Sequence, residues 1–280
     1  MIKIYANNFL LETKDHIFGG GERHVQMIEW PTDRNSKIKI VLNFEQDGDI
    51  VALASYADAI RRLGFESIDL FIPYFPGARQ DRVCNEGESL SVKVYAELIN
   101  NMNFDSVHVF DPHSDVVGAV LDNAVLHDNI SFVTMCIGDI QFENQNDIFL
   151  ISPDAGSNKK IYNVAKSLGG KYPVIRADKL RDVSNGKIIE TIVYAQGLAG
   201  KTCVIIDDIC SYGGTFCALS VKLKEMGAKR VILVVSHWEG VASKEKLFDA
   251  GISNVYTTDS KVILGHHGMV KVYPCAEHMK

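Results

Sequence analysis

One pattern constrains the fold of this chain more than any other. Short runs of β-branched and apolar residues alternate, almost end to end, with stretches whose apolar residues recur at helical spacing. In the first half, residues 37–42, 67–74 and 106–110 read as strands, and 49–63, 89–102 and 115–121 as helices. Arg61 and Arg62 fall in the last turn of the first helix, where cations suit the helix dipole. Ser89 stands where it can cap the second. In the second half, 147–152, 172–176, 188–194, 202–206, 230–236 and 254–258 read as strands, and 159–168, 214–226 and 243–250 as helices. Gly227 follows the helix at 214–226 as a C′ glycine. Strands that alternate with helices form βαβ units and parallel sheets. The expected class is therefore α/β: two doubly wound domains with mostly parallel central sheets. A length of 280 residues suits two domains of ordinary size. The polar stretch at 140–147, with Gln141, Asn144, Gln145 and Asn146, marks the boundary, giving domains 1–140 and 141–280.

Charge and composition remove several classes of function. The formal net charge is −6, with an acidic first half and a basic second half. That balance argues against nucleic acid as a partner, while the second half can still receive an anionic small molecule. No apolar run reaches 18 residues, so no membrane partner or membrane-spanning helix is expected. The first ten residues lack the basic and apolar succession of a secretory signal. The six cysteines contain no CxxC pair, which argues against a zinc site or a disulfide scaffold and for thiols in the reducing cytoplasm.

The chemistry concentrates after the strands, where ligands of open α/β sheets bind. In residues 204–216, VIIDDICSYGGTF, a strand ends in Asp207 and Asp208, and a glycine-bearing loop then leads into a helix. Ser211, Tyr212, Gly213, Gly214 and Thr215 can turn backbone N–H groups and hydroxyls around a phosphate, and the two glycines permit the backbone such a nest requires. Carboxylates repel phosphate, so Asp207 and Asp208 suit vicinal hydroxyls, or a metal bridged by ligand oxygens. Together these parts describe a ribose 5-phosphate site. A second stretch, residues 72–82, IPYFPGARQDR, follows another strand. Arg79 and Arg82 can clamp a polyphosphate, and Gln80 offers a donor and an acceptor to a base edge.

The 204–216 segment resembles the phosphoribosyl-binding signature shared by type I phosphoribosyltransferases and phosphoribosyl pyrophosphate (PRPP) synthetases. The ARQDR run resembles the nucleotide-binding loop of PRPP synthetases alone, which implies that Arg79, Gln80, Asp81 and Arg82 belong to an ATP site. Further stretches follow in the same order. FGGGE at 18–22 resembles a turn whose Phe and Glu, here Phe18 and Glu22, help hold adenine, usually from a neighbouring subunit. Asp111-Pro112-His113 resembles a motif whose His, here His113, binds Mg²⁺-ATP, and SPDAG at 152–156 resembles one whose Asp, here Asp154, works with the metal. DKLRD at 178–182 resembles a mobile loop whose Lys and Arg, here Lys179 and Arg181, stabilise the transition state. Two departures stand out: Gly20 replaces the usual Asp of the turn, and Ser211 replaces a third acid after Asp207 and Asp208.

The resemblance implies a type I phosphoribosyltransferase-like fold and ribose-phosphate diphosphokinase activity, with ATP and ribose 5-phosphate as substrates and Mg²⁺ as cofactor. It implies catalytic roles for Lys179, Arg181 and His113, metal binding by His113 and Asp154, and a homodimer or homohexamer. A C-terminal tail that packs back on the first domain is compatible with it. Two alternatives remain: a phosphoribosyltransferase that consumes PRPP, and a non-catalytic relative that regulates a true synthetase.

Overall fold

The computed structural model describes residues 1–143, 147–181, 188–261 and 266–279. The chain forms two compact units, Met1–Asp128 with the C-terminal Met279–Lys280, and Asn129–His278. The division falls before the helix Ile130–Glu143 (α4), earlier than the polar stretch at 140–147 suggests. Phe132, Val133, Cys136, Ile137 and Ile140 of that helix are all buried, and the helix packs on elements of the second unit. The polar stretch therefore begins inside a helix of the second unit.

In the first unit, β1 (Ile2–Ala6), β2 (Phe9–Leu10), β5 (Ile38–Leu42), β6 (Ile68–Ile72), β7 (Ser106–Phe110) and β8 (Ala124–His127) form one sheet in the order β2-β1-β5-β6-β7-β8. Strands β5 to β8 are parallel, and β1 runs antiparallel to β5. The helices α1 (Gly48–Arg62), α2 (Ser91–Asn100) and α3 (Val116–Val120) make the crossovers between them. Burial alternates along β5 and β6. Ile38, Ile40 and Leu42, like Ile68, Leu70 and Ile72, turn to a core that also takes Ile50, Leu53, Ala57 and Ile60 of α1. That period of two, met by a helix period on the partner element, is what joins the two into one core. Ser89 does not cap α2: the capping position is Leu90, and the Ser89 hydroxyl lies 3.2 Å from that of Ser91.

Strands β3 (Thr13–Ile17) and β4 (Arg23–Met27) form a separate antiparallel hairpin whose turn is residues 18–22. Arg23 ties it down. Its guanidinium lies 2.6 Å from Asp15 and 3.3 Å from Asp49 at the start of α1. Burial alone would raise the pKa of Asp49, but the Glu45 and Gln46 N–H groups that it accepts, together with Arg23, hold it below its ordinary value.

In the second unit, β9 (Ile148–Ser152), β10 (Val174–Arg181), β11 (Ile188–Val193), β12 (Thr202–Cys210), β13 (Arg230–Trp238), β14 (Ile252–Thr258), β15 (His266–His267) and β16 (Val270–Tyr273) form a sheet in the order β11-β10-β9-β12-β13-β14-β16-β15. Its six central strands are parallel, and β11 and β15 close the edges antiparallel. Helices α5 (Asn158–Ser167), α6 (Gly214–Glu225) and α7 (Lys244–Asp249) accompany α4. Residues 202–206 and 231–238 are buried without alternation, as expected of parallel strands covered on both faces. Gly227 follows α6 at φ 91°, the left-handed conformation of a C′ residue.

Candidate functional site

The strand order of the second unit decides which residues meet. Strand β9 lies between β10 and β12, so the loop after β9 opens where the ends of all three converge. Asp154 stands in that loop, Lys179 on β10, and Asp207 and Asp208 on β12. The sequence places the two acids just past a strand, but β12 runs on through them to Cys210. The reason is its neighbour: β13 extends to Trp238 and supplies pairing partners, Val235 for Asp207, His237 for Ile209 and Trp238 for Cys210.

Ser157 sits at the centre of this group and is only 7% exposed. Its N–H donates to Asp154 Oδ1 at 3.1 Å, and its hydroxyl lies 3.3 Å from the same oxygen and 2.9 Å from Asp207 Oδ1. One hydroxyl thus links a carboxylate after β9 to a carboxylate on β12. The Lys179 ammonium hydrogen-bonds Asp154 Oδ2, and that of Lys160, near the start of α5, lies 4.0 Å from Asp208 Oδ2. Burial alone would raise Asp154, but Lys179 and Ser157 outweigh it and hold the carboxyl below its ordinary value. Asp207 goes the other way. Burial first, then the neighbouring carboxylates of Asp208 and Asp154, push it well above the usual carboxylate range. Sequence reasoning missed Ser157 as a functional residue and gave Lys160 no role. The only available signal was their position next to the SPDAG run.

Lys179 is not on an irregular loop among the described residues. It lies within β10 and pairs with Thr191 of β11 in an antiparallel hairpin. The hairpin forms because 188–193 offer a second β-rich edge for β10 to extend along. Arg181 ends β10 just past a register shift, and its side chain and residues 182–187 lie outside the described residues.

The loop from Ser211 to Thr215 connects β12 to α6. Gly213 is the N-cap of α6 at φ 71°, and no side chain caps the helix there. The first intrahelical bond is the Cys217 N–H to Gly213 O at 2.9 Å, so the N–H groups of Gly214, Thr215 and Phe216 lie ahead of the helical ladder. Such amides form an anion site. The sequence assigns special backbone freedom to both glycines, but φ is positive at Gly213 alone. The loop is pinned from α7 and the segment before it: Lys246 Nζ donates to Tyr212 O at 2.7 Å, and the Ala242 N–H to Ser211 O at 2.8 Å. The Tyr212 side chain itself is 71% exposed.

In the first unit, Arg79 to Arg82 follow β6 in a turn held by the Gln80 N–H to Gly77 O bond, 2.9 Å long. Gly77 has φ 71°, and a Cβ there would come within 2.7 Å of Tyr95 and 3.0 Å of the Ser91 backbone, so this approach to α2 requires glycine. The Asp81 carboxylate is buried and receives the exposed Arg82 guanidinium at 2.8 and 3.2 Å. Arg82 holds the Asp81 carboxyl below its ordinary value, and the nearby His113 adds to the effect. Arg79 and Gln80 are exposed, as is His113 after β7. Asp111, two residues before His113, is buried at φ 39°, a strained backbone held by its N–H bond to His127 O at 2.7 Å. Phe18 and Glu22 flank the hairpin turn. The Phe18 N–H donates to Glu22 O at 2.8 Å, and its ring, half exposed, packs edge-on to His16 at 4.8 Å.

His113 and Asp154 stand in different units. No group of three or more His, Cys, Asp or Glu side chains among the described residues forms a ready metal cage. The oxygen donors of Asp154, Asp207 and Asp208 nevertheless fit a hard cation such as Mg²⁺, which takes one or two carboxylates and completes its shell with water and phosphate.

The two halves of this arrangement match two family models. Residues 122–269 match the phosphoribosyl transferase domain, and residues 2–102 match the N-terminal domain of ribose phosphate pyrophosphokinase. The second unit thus defines a phosphoribosyl transferase-type protein. Among curated relatives, the ribose-phosphate pyrophosphokinase of Neisseria meningitidis serogroup A is 31% identical over 246 residues, 87% of this chain and 73% of that protein. That of Vibrio cholerae is 32% identical over 248 residues, 87% and 76% respectively. The crystal structure of phosphoribosylpyrophosphate synthetase from Mycobacterium smegmatis shares the fold, with a TM-score of 0.82 at 24% identity, over 96% of this chain and 88% of that one. The chain belongs to the ribose-phosphate pyrophosphokinase family.

Proposed function

We propose that this protein is a ribose-phosphate diphosphokinase that makes PRPP and AMP from ATP and ribose 5-phosphate. The 1-hydroxyl oxygen of the sugar attacks the β-phosphorus of ATP. A new C1–O–P link forms, the bond to the α-phosphate oxygen breaks, AMP leaves and the hydroxyl proton is released. The observation that carries this reading is the pairing, in one chain, of the N-terminal pyrophosphokinase domain with a phosphoribosyl transferase domain. A transferase that consumes PRPP accounts for the second domain alone.

Phosphoryl transfer needs positioning and charge neutralisation more than covalent help from the protein. The open N–H groups at the start of α6 and the hydroxyls of Ser211 and Thr215 receive the 5-phosphate. Asp207 and Asp208 accept hydrogen bonds from the ribose hydroxyls. Arg79, Gln80 and Arg82 hold the nucleotide, with Asp81 fixing Arg82, and Phe18 and Glu22 bind adenine, in the family's manner from a second subunit of a homodimer or homohexamer. Lys179 and Arg181 place positive charge where it develops in the transition state. Asp154, with one of Asp207 and Asp208 beside it, would hold Mg²⁺, and His113 would bind Mg²⁺-ATP; the cation would supply neutralisation of phosphoryl charge. Holding both reactants in line supplies about 7–11 kcal/mol of the barrier.

The test is direct. Purified protein given MgCl₂, ATP and ribose 5-phosphate should release AMP and form PRPP in equal amounts. No AMP without an added partner protein would favour a regulator, and pyrophosphate release from PRPP and a free base would favour a transferase.

A further inference from the structure

The carboxylates of Asp154 and Asp208 are each met by a lysine ammonium, and of these two lysines only Lys179 has a place in the proposed reaction. The other is Lys160. It projects from the first turn of α5 to within 4.0 Å of Asp208 Oδ2. Asp208 is 6% exposed, whereas the Lys160 side chain is a third exposed. The separation exceeds hydrogen-bond distance, so the attraction of Lys160 to that oxygen is coulombic and weakly directional. Lys179, its side chain a quarter exposed, is held more firmly, since its ammonium hydrogen-bonds Asp154 Oδ2.

We propose that Lys160 is a second phosphoryl-binding lysine, held on Asp208 while the site is empty and transferred to phosphoryl oxygens when the anionic ligand and its divalent cation arrive. This rests on the phosphoryl-transfer reading of the site. Three carboxylates gathered at one place would repel any phosphate, and a divalent cation drawn to one or two of them weakens the hold of these acids on the lysines. A lysine suits such an exchange, because its charge is a point at the end of a flexible four-carbon stem and needs no fixed bidentate geometry. Its place in the first turn of α5, where the helix dipole also favours anions, lies next to the loop that carries Asp154 and Ser157.

The exchange has a signature that a structural role does not share. Lys160 competes with the cation for Asp208, and it aids the anion. In Lys160→Met, Mn²⁺ alone, titrated by electron paramagnetic resonance, should bind more tightly than to the wild type. Inorganic pyrophosphate and ribose 5-phosphate, each titrated calorimetrically with MgCl₂ present, should bind at least about tenfold more weakly in one or both cases, the scale of a lost charge-assisted hydrogen bond. Weakening of pyrophosphate alone assigns Lys160 to the transferred group, and weakening of ribose 5-phosphate alone assigns it to the sugar phosphate. Lys160→Arg, which keeps the charge, should recover most of the anion affinity. The proposal is overturned if both anions bind Lys160→Met within about twofold of the wild type, or if Mn²⁺ binding fails to tighten. Circular dichroism of the variant should match the wild type; for a misfolded variant, Lys160→Gln is read by the same criteria. Absence of AMP from the wild-type protein would sink the activity reading and leave these binding shifts to stand or fall alone. Normal wild-type turnover with unshifted binding would sink the lysine proposal only.

Discussion

Gly213 and Gly214 are adjacent in sequence and opposite in what they tolerate, which makes them a matched pair for testing how the phosphate loop is built. Gly213 has φ 71°, and a Cβ there would lie 2.9 Å from Leu247 Cδ2 and 3.0 Å from Ala242 Cβ. Gly213→Ala therefore incurs two penalties. A left-handed backbone with a Cβ costs about 1–2 kcal/mol, and forcing a methyl into a packed contact costs about 1–3 kcal/mol. Leu247 can rotate away, but Ala242 has no rotamer to change, so the second penalty is reduced and not abolished. The sum is about 2–5 kcal/mol. For a unit of this size each kcal/mol lowers the melting midpoint by roughly 2–4 °C. Gly214 has nothing within 4 Å of its Cβ position and no positive φ. Gly214→Ala should change stability by no more than about 1 kcal/mol, since alanine is the better helix former. Thermal melts followed by circular dichroism compare the two stabilities, and calorimetric titration with ribose 5-phosphate reports the loop. Gly213→Ala should lose both stability and sugar-phosphate binding, while Gly214→Ala keeps its stability. A Gly213→Ala midpoint within about 2 °C of the wild type, or equal damage from the two variants, would refute the geometry argued here.

Three further outcomes follow from the same site. Asp207 holds a proton better in the folded chain than in the unfolded one, so its contribution to stability is greatest below the unfolded carboxylate pKa and is lost as pH rises toward its raised folded value. Asp207→Asn should therefore melt above the wild type near about pH 8, with the gap closing toward about pH 4, while sugar binding weakens; a gap independent of pH contradicts the burial argument. Lys179→Ala should lower kcat far more than it weakens ribose 5-phosphate binding, and turnover surviving within about tenfold (~1.4 kcal/mol) removes its transition-state role. Ser157→Ala removes the one hydroxyl donor that Asp154 and Asp207, both partly buried, share and should destabilise by about 1–3 kcal/mol, seen as a lower denaturation midpoint in urea; an unchanged midpoint means the hydroxyl binds neither acid appreciably.

Much of the architecture follows from the sequence alone, because periodicity is local. The burial of β12 and β13 on both faces, and the helical spacing of α1, are written in runs of neighbouring residues. The acids, glycines and basic residues that carry phosphate chemistry could likewise be read in their loops. Other elements were not legible. Strands β1 to β4 and β8 are short, exposed on at least one side and bounded by polar residues, so they leave no clear period. Helix α4 is apolar around much of its circumference and has little contrast between faces. Ends were misjudged where a partner decides them: β12 passes through Asp207 and Asp208 because β13 is long enough to pair with it, and β10 runs on to Arg181 because β11 lies beside it.

The composition of the site belongs to tertiary structure. Residues at 154, 157, 160, 179, 207 and 208 come together because β9 is flanked by β10 on one side and β12 on the other. Sequence supplied the chemistry at each of these positions. The pairing of three strands far apart in the chain brought Ser157 to Asp154 and Asp207 and set Lys179 against Asp154 and Lys160 against Asp208, which no local pattern encodes. Desolvation and like-charge repulsion arise only from that convergence, and they are what separate Asp207 from Asp154, two aspartates of the same intrinsic acidity.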